Sequence, residues 1–320
     1  MDESLWIERS HYAKWLNARE LRSQLPLSFQ VLGILLNRTP RALERLVGRT
    51  RMFRCARWVH RATSGSALAP LCVAGVTLWL DLSDPRWIRA PLDFLRAPPL
   101  PDLLGHLLRP GLAFVDVGSN HGSFSAAAAT LLRDDDLLVA VEPQPRLALA
   151  TRLGVGGRPG HRTHVYRCAL ADVRGLGTLV VPEHNPGEAA LRSPRADEAG
   201  YRLVPTEVRT LDDLLLSAHR LPDGFVLKID AEGGEPAILR GATEVLRAHD
   251  PVLILEVNPA ALGASGESVA SLLALLRREG YAHYADFKAP MVPLTVDGRR
   301  DLPRNVVASK RPLACRGWAR

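Results

Sequence analysis

From residue 112 the chain alternates between short, almost wholly apolar runs and amphipathic stretches. Residues 112–117 read as a strand buried on both faces, because a strand covered on one face would alternate apolar with polar; residues 225–230 and 252–257 read as two more buried strands, and residues 137–142 and 164–170 as a second and a third strand. Between them, residues 123–133, 144–153 and 210–218 read as helices, the last opened by Thr210 as N-cap with Asp212 and Asp213 in the first turn. Ile238, Leu239, Ala242, Val245 and Leu246 fall on one helical face. Residues 268–279 predict another helix, and residues 281–287 and 305–308 closing strands. Residues 176–181 read as a short extra strand, and residues 182–205 as the longest irregular segment. Strands alternating with helices predict a doubly wound α/β sheet.

The first 80 residues have a different texture. They read as mostly helical, with Pro40 at a helix start and an imperfect apolar stripe of Leu43, Leu46, Val47, Phe53 and Ala56 among arginines. Gly65 and Pro70 break that pattern. A β-rich stretch, 73–82, leads to a turn at Ser83-Asp84-Pro85, and Pro98, Pro99 and Pro101 mark a linker before a short helix over 102–108. The expected division is an extension over residues 1–78 and a catalytic domain over 79–320.

Composition sharpens this picture in two places. Of the 320 residues, 47% are hydrophobic and 23% charged, which excludes wholesale disorder. The net charge of +7 lies in residues 1–80, where 12 Lys+Arg face 5 Asp+Glu; the rest of the chain is balanced. A basic arm is therefore present, and the charge gives no argument that the main domain binds nucleic acid. Only four basic residues are lysines, Lys14, Lys228, Lys288 and Lys310, so surface arginine is background here. Cys55, Cys72, Cys168 and Cys315 stand far apart with no CxxC pair, which fits a reducing compartment. The acidic start, MDESLWIERS, and an apolar run over 67–80 too short for a bilayer lead us to expect no targeting or spanning segment and a cytoplasmic setting.

Candidate chemistry lies at the strand ends. The run Asp116-Val117-Gly118-Ser119-Asn120-His121-Gly122 is a buried strand, a glycine turn and a helix start. Its Gly-x-x-x-Gly spacing is neither the dinucleotide fingerprint nor a P-loop, so a ligand without phosphates suits it better than a nucleotide triphosphate; a purely geometric turn is the plainer alternative. Glu142, at the next strand end, is placed to take both ribose hydroxyls, against the reading of a solvated acid. Loop and acid together describe a nucleoside site that fits S-adenosylmethionine. A third run, Lys228-Ile229-Asp230-Ala231-Glu232-Gly233-Gly234-Glu235, ends another buried strand. Lys228 and Asp230 share a strand face, as a catalytic pair or only a buried ion pair, and Glu235 reads as a helix N-terminal charge. Glu256 and Asn258 alternate at the following strand end, facing the cleft or capping it. The ten histidines form no metal constellation, and His121 reads as a loop variant.

These motifs together resemble the FkbM-type family of S-adenosylmethionine-dependent methyltransferases. Asp116 to Gly122 resembles the family's first motif, Glu142-Pro143 its ribose-binding acid, and Ala169-Leu170-Ala171-Asp172 the segment passing the adenine. Thr210-Leu211-Asp212-Asp213-Leu214-Leu215 and Lys228 to Glu235 resemble its most diagnostic stretches, Gly234 replacing the usual alanine. The resemblance runs from Trp79 to Lys310. It implies a Rossmann-like, seven-stranded methyltransferase sheet with an antiparallel final strand, and methyl transfer to a hydroxyl of a sugar or natural-product scaffold.

The expected site follows. Asp116, Gly118, Asn120, Gly122, Glu142 and Asp172 bind the cofactor, Glu256 and Asn258 the acceptor. Asp230 or Glu232 is the base removing the hydroxyl proton, with Lys228 orienting it. No resident metal is expected, a divalent cation on Asp230, Glu232 and Glu256 being the lesser variant. The expected partner is a small-molecule or glycan acceptor, with nucleic acid disfavoured. Two other readings stand beside this one: nucleic-acid methylation through the basic arm, and a non-catalytic partner-binding subunit. The arm, with Arg38, Arg41, Arg45, Arg49, Arg51, Arg54, Arg57 and Arg61, either packs on the domain or lies on an anionic membrane.

Overall fold

The computed structural model describes residues 58–59, 62–63, 66–84, 86–87, 89–95, 97–156, 162–183, 185–193, 200–296 and 302–313. The basic arm's arginines from Arg38 to Arg61, its apolar stripe, Cys55 and Cys315 lie outside them.

The described chain opens with a hairpin, β1 (Leu68–Val73) and β2 (Val76–Asp81), joined at Ala74-Gly75 where both residues have positive φ. The expected domain limit at 78/79 falls inside β2. Helices α1 (Arg89–Leu95) and α2 (Leu100–Gly105) follow. The βαβ order then begins: β3 (Phe114–Val117), α3 (Ser123–Ala129), β4 (Leu137–Val141), α4 (Pro145–Val155) and β5 (Arg162–Tyr166). Strands β6 (Ala169–Leu170), β7 (Gly175–Pro182), β8 (Ala190–Leu191) and β9 (Tyr201–Arg209) form a separate four-stranded sheet. The main sheet resumes with α5 (Leu211–Leu216), β10 (Val226–Ile229), α6 (Glu235–Arg240), α7 (Thr243–His249), β11 (Val252–Glu256), α8 (Pro259–Ala264), α9 (Val269–Arg278), β12 (His283–Asp286), β13 (Ala289–Pro293) and β14 (Asn305–Ser309).

The main sheet has the order β13-β12-β14-β11-β10-β3-β4-β5. Strands β5, β4, β3, β10 and β11 run parallel, and β14 is antiparallel to both β11 and β12. This is the doubly wound arrangement, with eight strands where the family resemblance implied seven. The additional strand, β13, folds back on β12 at the sheet's edge. Its Pro290 and Pro293 cannot donate to a ladder, and an edge strand tolerates them because it has a free side. Likewise Tyr201 to Pro205, expected to be irregular, pair with β7.

Alternate residues of the central strands feed two cores. Phe114, Leu138, Val226, Val252 and Ile254 pack beneath α3 and the hairpin, against Leu71, Leu78, Leu80 and Ala127. Val115, Val117, Leu227, Ile229 and Leu253 pack beneath α6, α7 and α9, against Ile238, Leu246, Leu272 and Leu276. Covering both faces explains the unbroken apolar runs, each fully buried side chain contributing about 1.5–3 kcal/mol. Gly241 separates α6 from α7 where one continuous helical face was expected, and a Cβ there would stand 2.2 Å from the Ala171 carbonyl oxygen.

After β3 the chain steps to β4 and β5, then returns to β10 on the other side of β3. The carboxyl ends of β3 and β10 therefore flank the switch point, where an open α/β sheet leaves its binding crevice.

Candidate active site

The turn after β3 is fixed by backbone hydrogen bonds on both sides. Gly118 and Ser119 N–H groups donate to the Val141 carbonyl at 2.9 and 3.1 Å, and Asp230 N–H donates to Val117 at 3.1 Å. Gly118 has φ +73°, and a Cβ on it would stand 1.8 Å from the Asp230 carbonyl oxygen. Only glycine permits both the left-handed backbone and this approach.

Beneath the turn sits a buried ion pair. Lys228 and Asp116 are register partners across β10 and β3, so their side chains share one face. Lys228 Nζ lies 3.2 Å from Asp116 Oδ1 and donates to the Gly118 carbonyl at 2.8 Å. Ser125 Oγ, from α3, donates to Asp116 Oδ2 at 2.6 Å. Burial alone would lower the lysine's pKa, but Asp116 and then Asp230, 3.6 Å away, hold it above the ordinary lysine value. Lys228 thus ties the glycine turn down through the Gly118 carbonyl. Asp116, expected to meet the cofactor, is fully buried beneath the cleft, ion-paired with Lys228 and hydrogen-bonded by Ser125.

A cleft of about 260 Å³ opens above. On one side stand Gly118, Asn120, Glu142 and Gln144, with an apolar wall of Ala169, Leu170, Leu179, Leu191 and Ile238. Glu142 is 4% exposed and accepts from Asn120 N–H through Oε2 and from Gln144 N–H through Oε1, both at 2.9 Å. Each oxygen keeps a lone pair for a further donor. Burial pushes the Glu142 carboxyl up to about 7 against the lowering effect of those N–H groups and Lys228. Asn120, at φ +53°, accepts from the His121 backbone N–H at 2.7 Å, and its Oδ1 lies 2.6 Å from His121 Nδ1. His121 is therefore a buried support for Asn120. Gly122, also at positive φ, packs against Thr151 and N-caps α3.

At the other side three acids meet. Asp230 follows β10, Glu232 stands two residues on with φ +48°, and Glu256 ends the neighbouring β11. One carboxylate oxygen of each lies within 4.8 Å of the others. Burial, then the charge of Asp230, pushes Glu232 up to about 7. Burial, then Asp230 and Glu232, raises Glu256 well above the carboxylate range. Arg304 Nε donates to Glu256 Oε1 at 2.6 Å.

Two expected residues are elsewhere. Asp172 ion-pairs with Arg240 at 3.1 Å outside the cleft; the apolar Ala169 and Leu170 of the same segment line it instead. Asn258 caps α8, accepting from Ala261 N–H at 3.3 Å, and its Asn-Pro dipeptide is the sequence signal of an N-cap followed by N1. Glu235 accepts from Ala231 and Gly233 N–H groups, so it buttresses the acidic turn, as its helix-start position suggested. Arg86, Arg89, Gln144, Glu188 and Arg304 line the cleft without having been singled out. The arginines carried no signal in a chain where arginine is the background.

The sequence profile of the methyltransferase FkbM domain matches residues 116–282, more than half of the chain. The chain belongs to the FkbM methyltransferase family. Residues 116–282 are therefore a methyltransferase domain of the kind whose cofactor is S-adenosylmethionine. Among solved structures, an FkbM methyltransferase from Methylobacillus flagellatus KT is 18% identical, with a TM-score of 0.37 over 71% of this chain and 54% of that one. The chain thus spans about half the length of that relative. A putative rRNA-methylase from Clostridium thermocellum is 10% identical, with a TM-score of 0.38 over 65% and 90% of the two chains. The Pyrococcus abyssi tRNA (uracil-54, C5)-methyltransferase in complex with S-adenosyl-L-homocysteine is 11% identical, with a TM-score of 0.37 over 76% and 44%. No curated protein matches the chain.

The cleft's donor set fits the cofactor. Glu142 offers acceptor lone pairs to ribose hydroxyls, and the apolar wall suits a flat adenine. If Glu142 holds the ribose, Glu142→Ala should weaken S-adenosylhomocysteine binding by about 1.5–3 kcal/mol, the scale of a hydrogen bond to a charged group. Ribose hydroxyls favour the ionised carboxylate, so binding should release a proton near pH 6.5. Apparent affinity should fall below about pH 7, by up to ~10-fold per pH unit. The free protein should have the opposite linkage: a carboxyl raised from 4.5 to about 7 withdraws stability as pH climbs through that window. Calorimetry in two buffers of different ionisation enthalpy reads the proton. Equal heats in both buffers, or unchanged affinity in Glu142→Ala, would put the ribose elsewhere.

Proposed function

We propose that this methyltransferase transfers its methyl group to a hydroxyl of a small molecule, sugar or natural-product scaffold. The observation supporting this reading is the meeting of Asp230, Glu232 and Glu256 in the cleft that also holds Gly118 and Glu142. Alkyl hydroxyls are poor nucleophiles until their proton is being removed, and carboxylates beside the reacting oxygen supply the acceptor for it. The transfer is otherwise a matter of placing the oxygen in line with the sulfonium methyl. The C–S bond breaks as the O–C bond forms, the cofactor leaves as a neutral thioether, and the hydroxyl proton passes to a cluster carboxylate. Glu232, on the cleft wall, is the proposed acceptor of that proton. Lys228 takes no part in proton transfer; it holds the turn on which the cofactor rests.

Incubating the protein with labelled S-adenosylmethionine and a panel of hydroxylated acceptors, followed by mass spectrometry, tests this. The expected product is a methyl ether, formed ~100-fold or more slowly by Glu232→Gln at unchanged cofactor affinity. Methylation of nitrogen or carbon, or an undiminished rate in Glu232→Gln, would refute it.

The cytoplasmic setting remains a proposal resting on four widely spaced thiols with no CxxC pair. Among the described residues no helix is long and apolar enough to cross a membrane.

A further inference from the structure

The acidic cluster has the geometry of a cation site. Its three carboxylates come from separate points of the fold: the end of β10, the turn beyond it and the end of β11. Two oxygens sharing one ion at 2.1–2.5 Å stand no more than about 4–5 Å apart. The oxygens of Asp230, Glu232 and Glu256 lie within 4.8 Å of one another, so a single ion can reach all three.

A second observation points to a ligand. Glu256 is only 3% exposed, and while its Oε1 accepts from Arg304, its enclosed Oε2 has no hydrogen-bond donor among the described residues. A buried carboxylate oxygen left without a partner is costly, and native structures rarely keep one without a bound ion or water. The neighbouring cations do not fill that role. Lys228 is committed to Asp116 and to the Gly118 carbonyl, and Arg304 is engaged at Oε1.

We propose that Asp230, Glu232 and Glu256 bind one hard divalent cation of the Mg²⁺ or Mn²⁺ class at the acceptor end of the cleft. All-oxygen carboxylate donors select such ions over softer metals. Three protein ligands leave positions open to the cleft, where the acceptor's hydroxyl oxygen can bind and become more acidic. The proton then passes to a carboxylate oxygen of the same cluster that is not engaged with the ion, and the balance of the transfer is unchanged. This role rests on the hydroxyl-methylation reading; the binding itself does not.

The test is Mn²⁺ titration of the full chain, freed of metal by a chelator, followed by electron paramagnetic resonance. One Mn²⁺ per chain is expected, displaced by excess Mg²⁺, with affinity at least ~10-fold weaker in both Glu256→Gln and Glu232→Gln. S-adenosylhomocysteine binding verifies that each variant is folded. No Mn²⁺ binding at millimolar metal overturns the proposal, as does binding of equal strength in folded variants. Methyl-ether formation by metal-free protein without Mn²⁺ binding would remove the ion and leave the hydroxyl reading standing. Mn²⁺ binding that depends on Glu256, with methyl transfer to nitrogen or carbon, would do the reverse.

Discussion

Replacing Lys228 with methionine is expected to destabilise the protein by about 3–5 kcal/mol, because it leaves Asp116 as an uncompensated charge in a site with no solvent. Asp116 is fully buried, and the partners remaining to it would be Ser125 Oγ and the apolar surroundings of Phe114 and Val226. Methionine keeps the length of the chain and its packing against Phe124, over whose ring the ammonium now lies at 5.1 Å, so the loss would be electrostatic more than steric. The Gly118 carbonyl would lose its 2.8 Å donor as well, so cofactor affinity should fall with stability. The double variant Lys228→Met, Asp116→Asn removes the orphaned charge and should recover part of the loss. Urea unfolding of both variants reads this directly. A Lys228→Met protein within about 1 kcal/mol of the parent would show that the pair is not what holds the turn.

This pair shows how far sequence could reach. A lysine in an apolar strand of an arginine-rich chain marked Lys228 as purposeful, and strand periodicity put it on the face of Asp230. What periodicity within one strand could not give was the register to β3, which sets Lys228 opposite Asp116. The same gap accounts for the other reassignments. Leu170 lines the cleft, but the chain turns before Asp172, which meets Arg240 outside. Asn258 points back to α8, whose first turn it caps.

The fold was legible where both sheet faces are covered, since β3, β4, β10 and β11 then appear as unbroken apolar runs. It was less legible at edges. Strand β1 alternates buried Ala69, Leu71 and Val73 with exposed Pro70 and Cys72, and Pro70 on the open side of a two-stranded ribbon passes for a breaker. Of the cleft, Gly118, Asn120, Glu142, Asp230, Glu232 and Glu256 were readable, because strand-end acids and glycine turns mark the carboxyl edge of an α/β sheet. The meeting of the last three was readable only as a lesser variant, because it depends on β10 and β11 being neighbours and on the left-handed backbone at Glu232.

Gly118→Ala should be the most damaging single-methyl change in the cleft. Two separate costs add. Alanine at φ +73° carries about 1–2 kcal/mol of backbone strain. Its Cβ would also stand 1.8 Å from the Asp230 carbonyl oxygen and 2.9 Å from the carbonyl carbon, both backbone atoms of the next strand end. No side-chain rotation relieves that contact; β3 and β10 must separate at the switch point, disturbing the Lys228 tether and the acidic turn together. A total above about 3 kcal/mol is expected, in the range reserved for strain and core disruption. That corresponds to a fall in Tm of roughly 6–12 °C for a domain of this size. Binding of S-adenosylhomocysteine should become undetectable even below the melting range. Gly224→Ala separates the two costs, since Gly224 has φ +85° but a methyl added there would meet no atom within 4 Å, so it reports backbone strain alone. If Gly118→Ala and Gly224→Ala lower Tm equally and cofactor affinity survives in both, the close approach of β3 to β10 does not shape the site.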